Sequence, residues 1–138
     1  MFTRALSRLT EPFYAFMRII VGFLFFFQGI QKIFGVLNDS PPPVGSQFWV
    51  GGIIEMVGGA LILLGLFASY AAFICSGEMF VAYSQFQWKF RFDENFFPHV
   101  NHGEHTVLYC LIFFYIACKG AGIFSLDALL AKRRATRT

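Results

Sequence analysis

Four apolar stretches of membrane-spanning length, at about 13–34, 48–66, 68–87 and 104–122, take up most of this 138-residue chain, and three of them contain charges: Arg18 and Lys32, Glu55, and Glu78. A charge at mid-bilayer costs roughly 2.5 to 3.5 kcal/mol even on lenient insertion scales, so each of these side chains must face protein, a partner charge or a wet cavity. Composition points the same way. With 57% hydrophobic and 20% aromatic residues, 20 of them Phe, the chain has more apolar side chain than a soluble core of this size can bury.

The punctuation between the stretches sets the architecture. Thr10 and Glu11 form a cap-like pair ahead of Pro12 at a first-turn position, which opens the first span. Pro41, Pro42 and Pro43 stop any helix in the connection that follows. The second and third spans are separated by so little that they must form a tight antiparallel hairpin. Trp88 and the Phe cluster around Arg91, Asp93, Glu94 and Pro98 fit an interfacial aromatic belt. Beyond Gly120 and Gly122, Ser125 can cap a short amphipathic helix with Leu126, Leu129 and Leu130 on one side and Lys132, Arg133 and Arg134 on the other. No cleavage site follows the first apolar stretch, so it is expected to be retained.

Arginine and lysine placement orients the chain. Arg4 and Arg8 precede the first span and Lys132, Arg133, Arg134 and Arg137 follow the last, whereas Lys89 and Arg91 on the opposite side are offset by Asp39, Asp93 and Glu94. The expected fold class is therefore all-α: an integral membrane four-helix bundle forming one domain over 1–138, both termini cytoplasmic, with a short amphipathic C-terminal helix. The expected location is a bacterial inner membrane, crossed several times. The net charge of +3 is a topology signal and gives no reason to invoke nucleic acid.

Helical spacing brings the charges onto shared stripes. Arg18, Gly22, Phe25, Gly29 and Lys32 recur at steps of three and four, and Glu55 lies among Gly51, Gly52, Gly58 and Gly59. On the third span Ala71, Cys75, Glu78, Ala82 and Gln85 form a line, and on the fourth Glu104, Leu108, Leu111, Tyr115 and Cys118 do. Arg18 and Glu78 fall at similar depth, roughly 9 and 12 Å from the cytoplasmic ends of their helices, which allows them to pair. Gln28, Lys32 and Glu55 form a second, outer cluster, with Glu104 and His105 opening the fourth helix on that side. Two readings stand: fold-specifying ion pairs, or a site that handles a ligand or protons.

His99, His102 and His105, with Glu104, supply metal-ligand chemistry, but Pro98 and Gly103 mark a loop and helix start where such residues serve as caps, so no metal is assigned. Cys75, Cys110 and Cys118 are scattered, without the paired motif that thiol relay requires. The sequon Asn38-Asp39-Ser40 matters only in a eukaryotic secretory setting.

The segments MRIIVGFLFFFQGIQKIFG, GGIIEMVGGALILLG, GEMFVAYSQFQ, FFPHVNHGEHTVLYC and GAGIFSLD together resemble the DoxX family of small bacterial membrane proteins over nearly the whole chain. The resemblance implies a four-helix membrane bundle and carries to Arg18, Gly29, Lys32, Glu55, Gly59, Met79, Ala82, Asn101, Glu104, Gly122, Ser125 and Asp127. It also implies association with redox systems, since some relatives look like membrane subunits of quinone-linked sulfur oxidation. Others associate with superoxide-detoxifying partners, and distant ones act as cargo or assembly factors. The family's third span often ends in histidine where this chain has Gln85 or Gln87, a departure that bears against a direct redox role. The expectation is thus a membrane component of a redox system, possessing no self-sufficient catalytic motif, that binds a quinone-like molecule through Arg18, Gln28, Lys32, Glu55, Glu78 and Glu104. The alternatives are a non-catalytic anchor or assembly protein and, third, a small-molecule transporter. Besides the lipid bilayer, a protein partner or a second copy of the chain is expected.

Overall fold

A computed structural model describes residues 2–37 and 40–137; Asn38 and Asp39, and with them the sequon, lie outside the described residues. Those residues are helical and loop, with no strand: α1 (Phe2–Ser7), α2 (Thr10–Phe34), α3 (Gln47–Leu64), α4 (Ala68–Ala82) running into a π-helical turn (Tyr83–Trp88), a 3-10 turn (Glu94–Phe96), α5 (Glu104–Lys119) and α6 (Leu126–Ala135). Two of the helices, α2 with mean hydropathy 1.8 and α3 with 1.7, are long and apolar enough to cross a membrane. Thr10 is the first helical residue of α2 and the cap position falls on Leu9, without a side-chain bond; Pro12 still lies in the first turn, where its missing N–H costs nothing. Ser125 caps α6 as expected, its hydroxyl accepting from the Ala128 amide.

Glycine decides how α2 meets α3. A Cβ at Gly22 would lie 2.5 Å from the Leu63 nitrogen, and one at Gly29 would lie 2.6 Å from the Gly52 oxygen. One at Gly59 would lie 2.8 Å from the Gly22 oxygen. Each is well inside van der Waals contact, so only glycine lets the two backbones touch. Phe25, fully buried one turn beyond Gly22, fills the centre against Phe113 of α5 at 4.6 Å between ring centroids. Tyr14 ties the start of α2 to the far end of α5, donating to the Gly120 carbonyl at 2.6 Å.

The hairpin between α3 and α4 is held from two sides. Gly65 ends α3 in the left-handed region at φ 66, and Phe67, which starts α4, is left-handed at φ 49 despite its side chain. Asp127 sustains this conformation: its carboxylate accepts from the Phe67 and Ala68 amides at 3.0 and 3.1 Å, and its own amide donates to the Gly65 carbonyl. The carboxylate thereby satisfies the open N–H groups at the start of α4.

The stripe expected on the fourth span is corrected. Leu108, Leu111 and Tyr115 are exposed, and α5 instead buries Thr106, Phe113 and Ile116 with Tyr109 and Cys110 beside them. An all-round apolar helix has no polar face to set its phase, and a stripe anchored on Glu104 starts from a residue that the structure leaves exposed at the first turn. Helix α5 also stops at Lys119, short of 122.

A pair of glycine substitutions tests this packing. Gly59→Ala should cost about 1 to 3 kcal/mol by forcing α2 from α3. Gly77→Ala, where a Cβ would meet nothing within 4 Å, should instead be neutral or stabilising by up to about 1 kcal/mol through helix propensity. Thermal melting in detergent reads both, and a Gly59→Ala protein as stable as the wild type would contradict the close approach.

Candidate functional site

Lys32 emerges from the last turn of α2 beside Gly52, and the contact of α2 with α3 brings its ammonium onto Glu55. The Lys32 Nζ donates to Glu55 Oε1 at 2.5 Å, with the Glu55 side chain 1% exposed and that of Lys32 32%. Eight residues from the start of α3, Glu55 lies about 12 Å inside the helix. Its second oxygen, Oε2, is buried with no hydrogen-bond partner, and so is Oε2 of Glu78 on α4.

These three side chains line one cleft of about 280 Å³ between α3 and α4. Glu78 enters it across Gly51, where an added Cβ would lie 2.9 Å from Glu78 Oε1. Met79 and Ile54 form apolar wall, and the exposed Val50, Ile74 and Val81 form the rim. At one end Phe48 packs on Phe86 at 4.4 Å between ring centroids, and the Gln47 amide donates to Gln85 Oε1 at 2.6 Å, joining the start of α3 to the π-helical turn. Beyond Ile54 and Ile74, which the two cavities share, a groove of about 240 Å³ continues along Ile53, Val57, Leu61 and Cys75. The arrangement is a polar-floored chamber beside an apolar groove.

The expected Arg18–Glu78 pair does not form. Arg18, fully buried, donates from Nη1 to the Ile62 and Leu63 carbonyls at 2.6 and 2.9 Å and from Nη2 to the Phe124 carbonyl at 2.7 Å. It satisfies the Leu63 carbonyl that the end of α3 leaves open and the Phe124 carbonyl of the chain entering α6, and adds a second bond to the Ile62 carbonyl, which also accepts from the Gly65 amide at 3.1 Å. Glu78 lies about 15 Å from the Ala68 end of α4, deeper than expected, and so joins Lys32 and Glu55. Two further expected residues fall elsewhere. Gln28 lines a separate shallow hollow with Gln31, Lys32 and Leu37. Glu104 is exposed, with His99 Nδ1 2.9 Å from its Oε1. His102 and His105 are also exposed, and among the described residues no group of three His, Cys, Asp or Glu is placed to hold a metal ion.

Sequence reasoning missed Gln47, Phe48 and Phe86 as cleft residues. Gln47 falls in the connection ahead of the second span and Phe48 and Phe86 inside apolar spans, where nothing in the pattern sets them apart, and a π-helical turn, common beside functional sites, has no sequence signature of its own.

The ion pair and the clamp make separable predictions. Lys32→Met should destabilise by about 2 to 4 kcal/mol because it leaves the Glu55 carboxylate buried and uncompensated, and adding Glu55→Gln should recover most of that loss. Arg18→Met should cost a similar amount by leaving the Leu63 and Phe124 carbonyls unmet, each worth about 1 kcal/mol or more, while the Ile62 carbonyl keeps the Gly65 amide. Adding Glu78→Gln should give no rescue. Denaturation of the single and double variants checks both, and rescue of Arg18→Met by Glu78→Gln would restore the discarded pair.

The sequence profile of the DoxX family matches residues 13–88, which contain Arg18, Lys32, Glu55 and Glu78. A protein of Haemophilus influenzae (strain ATCC 51907 / DSM 11121 / KW20 / Rd), described as uncharacterized, is 40% identical over 133 residues, covering 93% of this chain and 98% of its own. No solved structure matches the chain. A matched profile that runs from the first long helix through the π-helical turn, and a relative similar along nearly its whole length, make this chain a membrane protein of the DoxX family.

Proposed function

We propose that the protein is a membrane component of a redox system that holds a lipophilic, quinone-like molecule between α3 and α4. The observation that carries this reading is the pair of adjacent cavities, which have Ile54 and Ile74 in common. The first ends on Lys32, Glu55 and Glu78 and suits a polar ring, while the second is apolar and suits an alkyl or isoprenoid tail. A site with charged groups at its floor and exposed apolar residues at its rim is suited to a ligand that arrives through the acyl chains of the bilayer. The chemistry of electron transfer belongs to such a ligand and to a redox-active partner protein; the chain's share is to bind and to place proton-exchanging groups.

The proposed setting is a four-helix bundle of α2, α3, α4 with its π-helical turn, and α5, crossing a bacterial inner membrane four times as a single domain. The short α4 is continued by the Tyr83–Trp88 turn. Arg4, Arg8 and the basic last turn of α6 support cytoplasmic termini. A protein partner or a second copy of the chain fits the exposed helix faces.

Two measurements test the proposal. A short-tailed benzoquinone, tried in both redox states, should raise the melting temperature saturably, since ligand at 100 times its Kd adds about 2.7 kcal/mol; Glu55→Gln and Lys32→Met should weaken the effect. No stabilisation in either state, with a stoichiometric partner that copurifies even with Glu55→Gln, would favour the assembly role instead. For topology, alkaline phosphatase fused after Arg134 should be inactive, and an active fusion would reverse the orientation.

A further inference from the structure

We propose that the groove between the end of α3 and helix α6 is a binding site for an anionic phospholipid, with an acyl chain along its leucines and the phosphate at Lys132. The inference needs only that the chain is a membrane protein, and it stands whether or not the cleft between α3 and α4 takes a redox ligand.

The groove, of about 480 Å³, is lined by Leu63 and Leu64 from α3, by Phe124, and by Leu126 and Leu129 from α6. Its shape follows from how α6 is attached. The Asp127 amide donates to the Gly65 carbonyl at 2.9 Å and Ser125 is buried, whereas α6 itself buries no residue. The helix is thus fixed at its start and stands off the bundle beyond it, with Leu64, Phe124, Leu126 and Leu129 all exposed. Helix α3 is long and apolar enough to cross a bilayer, so its Leu64 end falls where acyl chains give way to headgroups. At that depth the exposed leucines are covered by lipid, and an amphipathic helix lies with its apolar face at the acyl boundary.

Charge selects which lipid. Ser125, Ala128, Leu129 and Lys132 share one face of α6, which therefore passes from the buried cap through the leucine to the lysine. Lys132 lines the groove, and Arg133 and Arg134 accompany it in the last turn. Among the described residues none of the three is paired with a carboxylate. Asp127, the one acid of α6, is turned to the Phe67 and Ala68 amides instead. An apolar trough that ends in unpaired cations complements a molecule with an alkyl chain and a phosphate, and each basic residue near an anionic lipid surface adds to the attraction. A zwitterionic headgroup brings its own cation and would set an ammonium against Lys132. An acidic protein segment would answer the cations but leave the leucines uncovered. The Phe124 carbonyl beside the groove accepts from Arg18 at 2.7 Å, so a lipid seated there also braces the turn that Arg18 and Asp127 hold.

The test is native mass spectrometry of the full chain released from neutral detergent, with equimolar phosphatidylglycerol and phosphatidylcholine of the same acyl chains, alongside thermal melting. Phosphatidylglycerol should be retained about tenfold in preference to phosphatidylcholine and should raise the melting temperature saturably. Lys132→Gln, at an exposed position where folding should be unaffected, should cut that preference about fivefold. Lys89→Gln, exposed at the opposite end of α4, should leave it unchanged. Glycerol phosphate, which has the phosphate without the chains, should not stabilise the protein. Equal retention of the two lipids would reduce the groove to ordinary bilayer contact and overturn the inference, as would an unchanged preference in Lys132→Gln. Stabilisation by glycerol phosphate as strong as that by phosphatidylglycerol would overturn it in favour of a free anion. Displacement of the bound lipid by polyglutamate would overturn it in favour of an acidic protein partner.

Discussion

The contact on which the structure depends is the backbone-to-backbone approach of α2 and α3 across Gly22, Gly29 and Gly59. In a hydrocarbon setting apolar side chains gain little by leaving lipid for protein, so helices hold together through close packing and through polar groups that must find partners. Both operate along this one seam. The glycines remove the side chains that would keep the helices apart, and the short distance that results lets Lys32 reach Glu55 at 2.5 Å. An alanine at any of the three positions would have to be accommodated by moving a backbone. The ion pair that floors the cleft is thus a consequence of packing several residues away.

A second polar device works at the opposite end of α3. Helix ends leave carbonyls and amides open, and in a membrane no water replaces the missing partners. Arg18 answers the carbonyls of Ile62 and Leu63, and Asp127 answers the amides of Phe67 and Ala68, so one sharp turn receives a cation on its carbonyl side and an anion on its amide side. This arrangement explains why a buried arginine is tolerated in a span with no carboxylate bonded to it. The two groups of charge therefore differ in what they do. Arg18 and Asp127 secure the hairpin, while Lys32, Glu55 and Glu78 line a cavity, where the two carboxylates retain unmet hydrogen-bonding capacity.

Much of this was legible along the chain. Pro12, the three successive prolines, Gly120 and Ser125 mark helix starts and stops because each has a backbone constraint that acts locally, and the structure puts helix ends at or near them. The stripes on α2 and α3 were legible because glycine and charge are conspicuous against apolar sequence, and the pairing of Lys32 with Glu55 follows from them. The stripe on α5 was not, since leucine, phenylalanine and isoleucine at every angle give no phase. The depth of Glu78 was underestimated by about one turn of helix or less, which was enough to assign it the wrong partner.

The sequence by itself determined that the chain is helical and apolar, where its helices break, that it belongs to the DoxX family, and that charges on helices α2 to α4 must be turned inward. These follow from local backbone rules and from the cost of charge in hydrocarbon, which need no knowledge of neighbours. Only the tertiary structure decided which inward charges meet. That choice depends on the relative axial shift and rotation of helices, quantities of a few ångströms set by glycine contacts and by the turn that Arg18 and Asp127 hold. It is also why the cleft, with its π-helical edge and its two unpartnered carboxylate oxygens, could not be read from spacing: it is formed by what α3 and α4 leave unfilled between them.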